Sequence, residues 1–200
     1  MAKLKKEGRI EIITGPMFAG KTEELLRRIR RLQYAKKNIV VFKPLIDDRY
    51  SMNEVVSHDK NRTKSVNISR AEEMFEHIDS EIEVVAIDEI QFLNDEVCEI
   101  IEDFAAQGIH VIVSGLDTDF RGEPFGFIPK ILSKAESVVK LSAICVQCGA
   151  PGTKTQRMVD GKPAKYHDPI VLIGASESYE ARCRHCHRVY SKPKSRSKRS

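Results

Sequence analysis

The chain has 200 residues, 41% hydrophobic and 31% charged, with a formal net charge of +4; that size suits one medium α/β domain with a small appendage. No apolar run approaches the ~18 residues of a membrane helix, and the basic opening MAKLKKEGRIEIITG lacks the apolar stretch of a signal peptide, so a cytoplasmic protein is expected. Lys192, Lys194, Arg196, Lys198 and Arg199 outweigh the whole positive excess, which leaves a near-neutral body with no nucleic-acid surface and a short solubilising tail.

In chain order, RIEIIT (Arg9 to Thr14) is a β-branched run that leads into a glycine-containing turn. From Lys21 the apolar positions Leu25, Ile29 and Leu32 recur at helical spacing, with Arg27, Arg28, Arg30 and Arg31 mostly on other faces. NIVVFKP reads as a buried strand ending at Pro44, and the following DDRYSMNEVVSHDKNRTKSVN as polar and irregular. SRAEEMFEHI predicts a helix capped by Ser69. Val84 to Ile87 predicts a buried strand that ends in two acids, Asp88 and Glu89. Asn94 is the expected cap of a helix carrying Val97, Ile100, Ile101 and Phe104 on one face and stopping at Gly108, with Cys98 as a small buried hydrophobe. HVIVSG and SVVKLSAI are further strands. This alternation predicts a parallel sheet covered by helices on both sides. After Ile144, Cys, Gly, Pro and Thr replace the long apolar runs, so the chain divides into an α/β domain (1–142), a second unit (143–191) and the basic tail (192–200).

The turn after the first strand reads Gly15-Pro16-Met17-Phe18-Ala19-Gly20-Lys21-Thr22, a match to G-x-x-x-x-G-K-[ST]. Strand before and amphipathic helix after supply the context that this phosphate-binding motif requires. Glycines let the backbone wrap around phosphate oxygens as a concave row of N–H donors, and the helix dipole points the same way. Lys21 would reach the β- and γ-phosphates and Thr22 would bind Mg²⁺. Asp88, at the end of a buried strand, is the expected second Mg²⁺-organising carboxylate. Glu89, pointing the other way, is free to take a proton from an attacking oxygen.

That oxygen belongs to water in an ATPase and to a hydroxyl in a kinase, and the acid pair alone does not choose. DEIQ resembles a helicase motif, yet the chain has no room for the second nucleotide-binding domain that such motors use. A small-molecule acceptor is favoured by the loop GLDTDFRGEPFGF, whose Phe120, Phe125 and Phe127 could enclose a flat base. Asp47 and Arg49 follow a strand on the edge where open α/β sheets bind ligands, and Arg49 could stabilise charge on a moving phosphoryl group. Gly174, in VLIGASESY, could let the backbone approach a ligand.

Cys145-x-x-Cys148 and Cys183-x-x-Cys186 offer four thiolates for a closed, structural zinc site. Such a site would tether the segment between the pairs as a loop. CRHCH also satisfies a covalent-haem pattern, which would leave the first cysteine pair without a role. The functional rival is a nucleic-acid-associated P-loop ATPase with a zinc ribbon.

Taken together, GPMFAGKT, DDRYS, SHD, DEIQF, GLDTDF with PFG, AESVVKL, TQR, IGASESY and both cysteine pairs make the chain resemble type II thymidine kinases from about residue 9 to 190. The resemblance implies a P-loop NTPase-like parallel sheet with a small C-terminal zinc-binding domain carrying a lasso-type loop. It implies transfer of phosphate from ATP to the 5′-hydroxyl of thymidine or deoxyuridine, for DNA precursor synthesis by pyrimidine salvage. Glu89 would be the base, aided by Lys21 and Arg49, with Asp47 also near the transferred group. The nucleotide set would be Gly15 through Thr22 with Asp88 and Gln91, Mg²⁺ held by Thr22 and Asp88, and structural Zn²⁺ by the four cysteines. Met17, Phe92, Leu116, Phe120, Phe125, Thr155 and Tyr179 fall on the family's nucleoside pocket. Leu172, Ile173, Gly174 and Ala175 fall on the lasso loop, whose backbone would bind the pyrimidine edge. The resemblance further implies a homotetramer inhibited by thymidine triphosphate. Ile90, where many relatives carry a smaller residue, leaves the acid positions intact.

Overall fold

The protein is described from a computed structural model covering residues 8–45, 65–171 and 177–191. Asp47, Arg49, Leu172 to Ala175 and the basic tail lie outside the described residues.

Six strands form one all-parallel sheet: β1 (Arg9–Thr14), β2 (Ile39–Pro44), β3 (Ser65–Ile68), β4 (Val84–Ile87), β5 (His110–Gly115) and β6 (Ser137–Lys140), in the order β3-β2-β4-β5-β1-β6. Strands buried on both faces read as continuous apolar runs, and β4 is buried at all four positions. Helix α1 (Lys21–Tyr34) lays Leu25 and Ile29 on one face of the sheet, against Ile13, Ala86 and Ile112. The other face carries α2 (Val97–Ala106), α3 (Ile128–Lys134) and a 3₁₀ segment, Ala71–His77, around Ile12, Phe42, Ile87, Val111 and Phe104. The helix-flanked parallel sheet expected from the alternating segments is the one observed.

Several local expectations are corrected. The segment after Ser69 is 3₁₀ rather than α-helical, and Ser69 does not cap it: Arg70 occupies the cap, and the Glu73 carboxylate reaches back to accept the Ser69 and Arg70 N–H groups at 3.3 and 3.0 Å. Asn94 does not cap α2 with its side chain. Its Oδ1 accepts the Ala71 N–H at 2.8 Å while its Nδ2 donates to Glu72 and Glu96, so it ties the 3₁₀ segment to the start of α2. Finally, Ser65 to Asn67, read as irregular, belong to β3, which pairs with β2 as the edge strand; only Ile68 is buried in it, so it carries little apolar signal.

At the N-terminal edge of the sheet, Glu11 gathers Arg28 at 2.5 Å, Arg9 at 2.8 Å and His110 at 3.0 Å. The hydrogen bond with His110, working against burial and helped by the charges of His110, Arg9 and Arg28, pulls the Glu11 carboxyl down to about 2.

SVVKLSAI is two strands rather than one. β6 ends at Lys140, and β7 (Ala143–Ile144) pairs antiparallel with β8 (Pro151–Gly152). A second antiparallel sheet follows: β9 (Lys154–Val159) between β10 (Lys162–Pro163) and β11 (Glu177–Arg182). Asp160 and Gly161 turn between β9 and β10, both with positive φ (49° and 73°), the backbone of a tight two-residue hairpin. The interior of this sheet is polar. Arg157 is fully buried, its guanidinium 5.0 Å from the Phe120 ring centroid and donating to the Pro169 carbonyl at 2.6 Å. Gln156 holds the Arg188 backbone on both sides, accepting its N–H and donating to its carbonyl, each at 2.8 Å.

Candidate active site

The loop from β1 to α1 wraps back on itself where the sequence places its two glycines. Gly15 has φ 143°, and a Cβ there would meet the Leu141 carbonyl oxygen at 2.4 Å, so only glycine fits the close approach to the end of β6. Gly20 takes φ 78° and starts α1 from the left-handed region. Between them Phe18 holds φ 64° with its ring 65% exposed. Among the described residues, no protein acceptor takes the N–H groups of Phe18, Ala19 or Gly20. Three backbone donors without protein acceptors at the head of a helix suit an anion.

Lys21 lies half-buried beneath this loop and donates from Nζ to the Pro16 carbonyl at 2.8 Å. Burial pulls its ammonium below the ordinary lysine value, opposed by the carboxylates of Asp88, Glu89, Asp117 and Glu23. Thr22 donates from Oγ1 to Asp88 Oδ2 at 3.0 Å, which joins the head of α1 to the end of β4. Strand β5 lies between β1 and β4 and supplies Ser114, whose hydroxyl donates to Asp88 Oδ1. The Glu89 N–H donates to the same oxygen at 3.1 Å. Asp88 is thus fixed by two hydroxyls and one backbone donor.

Glu89 adopts φ 51°, ψ 40°, the left-handed conformation that costs a side-chain-bearing residue about 1–2 kcal/mol. Glu89 in this conformation caps the 3₁₀ turn Ile90–Phe92. Burial raises the Glu89 carboxyl above the ordinary glutamate value, as does the Asp88 charge, with Lys43 and Lys21 opposing. A half-buried carboxylate with this bias is a stronger proton acceptor than an exposed one. Ile90 is fully buried in the core, beside Gly115.

The other expected site residues line the loop after β5. Gln91 is buried and its Oε1 accepts the Leu116 N–H at 3.2 Å; a Cβ on Gly115 would approach that oxygen to 2.8 Å. Phe92 and Phe125 meet edge to face, ring centroids 6.2 Å apart. Phe120 is buried against Arg157, and Phe127 packs on the core beneath α3. Asp119 holds the loop closed by accepting the Arg121 and Glu123 N–H groups. Thr155 accepts the Met17 N–H at 3.0 Å, and Tyr179 stands opposite Arg157 in the β9–β11 register. The structure therefore gathers Met17, Lys21, Thr22, Asp88 and Glu89 at the C-terminal edge of the sheet and brings Thr155 to the phosphate loop. Ser114 and Asp117 were not expected there. Ser114 hides in an apolar strand, whereas Asp117 belongs to a motif already noted and pairs with Lys140 at 2.5 Å.

The four cysteine sulfurs lie within 4.8 Å of one another, a compact thiolate set that could hold zinc. At Cys145, desolvation is outweighed by N–H donors of Cys183, Gln147 and Cys148, and the thiol is drawn down to about 6. Sulfurs held by backbone donors in two C-x-x-C turns suit a tetrahedral metal.

A parallel sheet with a glycine-bounded loop between β1, its penultimate strand, and the following helix places the protein among P-loop nucleotide-binding enzymes. The family model for thymidine kinase matches residues 8–187. The chain belongs to the thymidine kinase family and is a kinase. Domain III of the Thermotoga maritima replication initiation protein DnaA aligns with 67% of this chain at 15% identity and a TM-score of 0.37; this chain spans 55% of that one. Among the described residues, no helix is long and apolar enough to cross a membrane.

Proposed function

We propose that the protein transfers the γ-phosphate of ATP to the 5′-hydroxyl of thymidine or deoxyuridine in pyrimidine salvage. The observation that carries the reading is the Thr22–Asp88 contact, which draws the β4 end, with Glu89 on it, up to the head of α1. Phosphates would lie over the Phe18 to Gly20 N–H groups. Lys21 would leave the Pro16 carbonyl to neutralise the β- and γ-oxygens. Thr22 and Asp88 fit Mg²⁺ as an oxygen pair, and the ion would supply charge neutralisation between those phosphates. Glu89 would take the proton of the nucleoside hydroxyl as its oxygen attacks the γ-phosphorus and the bond to the bridging oxygen breaks.

Phe92, Phe125, Leu116, Phe120, Thr155 and Tyr179 form the proposed nucleoside side of the site, with Leu172 to Ala175 closing over the base and Asp47 and Arg49 near the transferred phosphoryl. Gln91 would act through the Leu116 backbone that it holds. Residues 143–191 make the zinc-binding unit in this reading and 1–142 the nucleotide-binding one. Feedback inhibition by thymidine triphosphate, a homotetramer and a cytoplasmic setting go with it. Incubation with thymidine and γ-labelled ATP tests it: labelled thymidine monophosphate is expected, and release of free phosphate alone would favour a P-loop ATPase.

A further inference from the structure

The phosphate loop contains a strained residue with nothing of its own to hold it. Phe18 sits at φ 64° with its ring in solvent, so side-chain packing does not offset the cost of that conformation. Pro16 has no N–H, which makes the Met17 N–H the first donor available after Gly15. That donor is not aimed at the phosphate cradle. It is taken by Thr155 Oγ1 at 3.0 Å, across 138 residues of sequence, from a threonine that is only 3% exposed. Thr155 stands opposite Ala181 in the β9–β11 register, and the Ala181 carbonyl accepts the Val146 N–H, inside the first cysteine turn, at 3.1 Å. Cys183, in the second turn, follows β11 directly.

We infer that Thr155 is a positioning residue for the phosphate loop, coupling the cysteine-pinned sheet to the binding of the phosphoryl donor. Its hydroxyl fixes the peptide before Phe18, and so sets where the Phe18, Ala19 and Gly20 N–H groups point. Zinc held by the four sulfurs would work along the same line, fixing the C-terminal end of β11 through Cys183 and Val146 through the Cys145–Cys148 turn. This rests on the loop being the nucleotide site, and extends to the donor a residue otherwise placed beside the nucleoside.

The test uses the full chain and reads donor binding without any nucleoside. Titration with a non-hydrolysable ATP analogue should show roughly tenfold weaker binding by Thr155→Val, the size of one lost hydrogen bond that leaves a half-buried donor unmet. Thr155→Ser should restore affinity to within about twofold. Unchanged donor affinity, with a raised KM for nucleoside alone, would overturn the inference. Amide hydrogen exchange of the wild-type protein gives a reading that needs no variant: protection of the Met17 N–H supports the bond, and exchange at the rate of an exposed amide refutes it. Chelation should weaken donor binding in the wild type and add little in Thr155→Val; fully additive losses would deny the coupling. A protein that phosphorylates some other acceptor would leave all three outcomes as stated.

Discussion

Replacing Glu89 with Gly and with Ala separates backbone strain from chemistry. Both variants remove the carboxyl and the γ-methylene, so charge and its desolvation cancel between them. What remains is a Cβ held at φ 51°. At an ordinary position alanine is the more stable of the two, because glycine gives up about 0.5–1 kcal/mol of unfolded-chain entropy. In the left-handed region the Cβ costs about 1–2 kcal/mol, so the order reverses and glycine should lead by about 0.5–1 kcal/mol. For a domain of this size that corresponds to a Tm higher by about 1–4 °C. Thermal melts monitored by circular dichroism, with urea unfolding as a check, measure it. Turnover should fall in both by about 10²–10⁴-fold, the usual contribution of a general base. An alanine variant as stable as the glycine variant, or more so, would refute the strain argument. Near-normal kcat in either would remove Glu89 as the base.

Three further outcomes are expected. Lys21→Ala should lower kcat/KM by about 10²–10³-fold, as loss of one preorganised charge at a phosphoryl site does; steady-state kinetics at saturating nucleoside measures it. Cys183→Ser leaves three sulfurs, and since apparent binding at four-ligand structural sites is on the order of 10 kcal/mol, the purified variant should lose its zinc by elemental analysis and become protease-sensitive between Lys154 and Arg182. Glu11→Gln should destabilise the protein at neutral pH. Because the native carboxyl is depressed to about 2, the stability it contributes is present above the ordinary value of 4.5 and is lost as pH falls toward 2. Urea midpoints of the two proteins should therefore converge across that interval, and a gap that persists below it would contradict the ion-pair reading.

Strands buried on both faces could be read directly, since Ile10 to Thr14, Val84 to Ile87 and His110 to Gly115 are apolar throughout most of their length. The phosphate loop and the Asp88-Glu89 pair were equally legible, because both chemistry and spacing are local there. Elements whose stability comes from distant partners were not. Ser65–Ile68 becomes a strand only by pairing with β2, and residues 71–77 tighten to 3₁₀ because Glu73 and Asn94 supply acceptors at their start. Strand β9 buries Thr155, Gln156 and Arg157, polar residues that hydropathy assigns to the surface. The one local clue to it was Asp160-Gly161, a strong hairpin signal. The Thr155–Met17 contact left no trace in either neighbourhood.

The β9–β11 pairing is one in which consecutive residues do unlike work on opposite faces. Thr155 turns to the phosphate loop, Gln156 to the Arg188 backbone, and Arg157 to Phe120. Shifting this ladder by a single position would exchange the faces, presenting lysine or glutamine where a small hydroxyl is wanted. Insertions and deletions should accordingly be borne at the Asp160-Gly161 tip and rejected between Lys154 and Val159, so that lengthening the protein here is a question of where, far more than of how much.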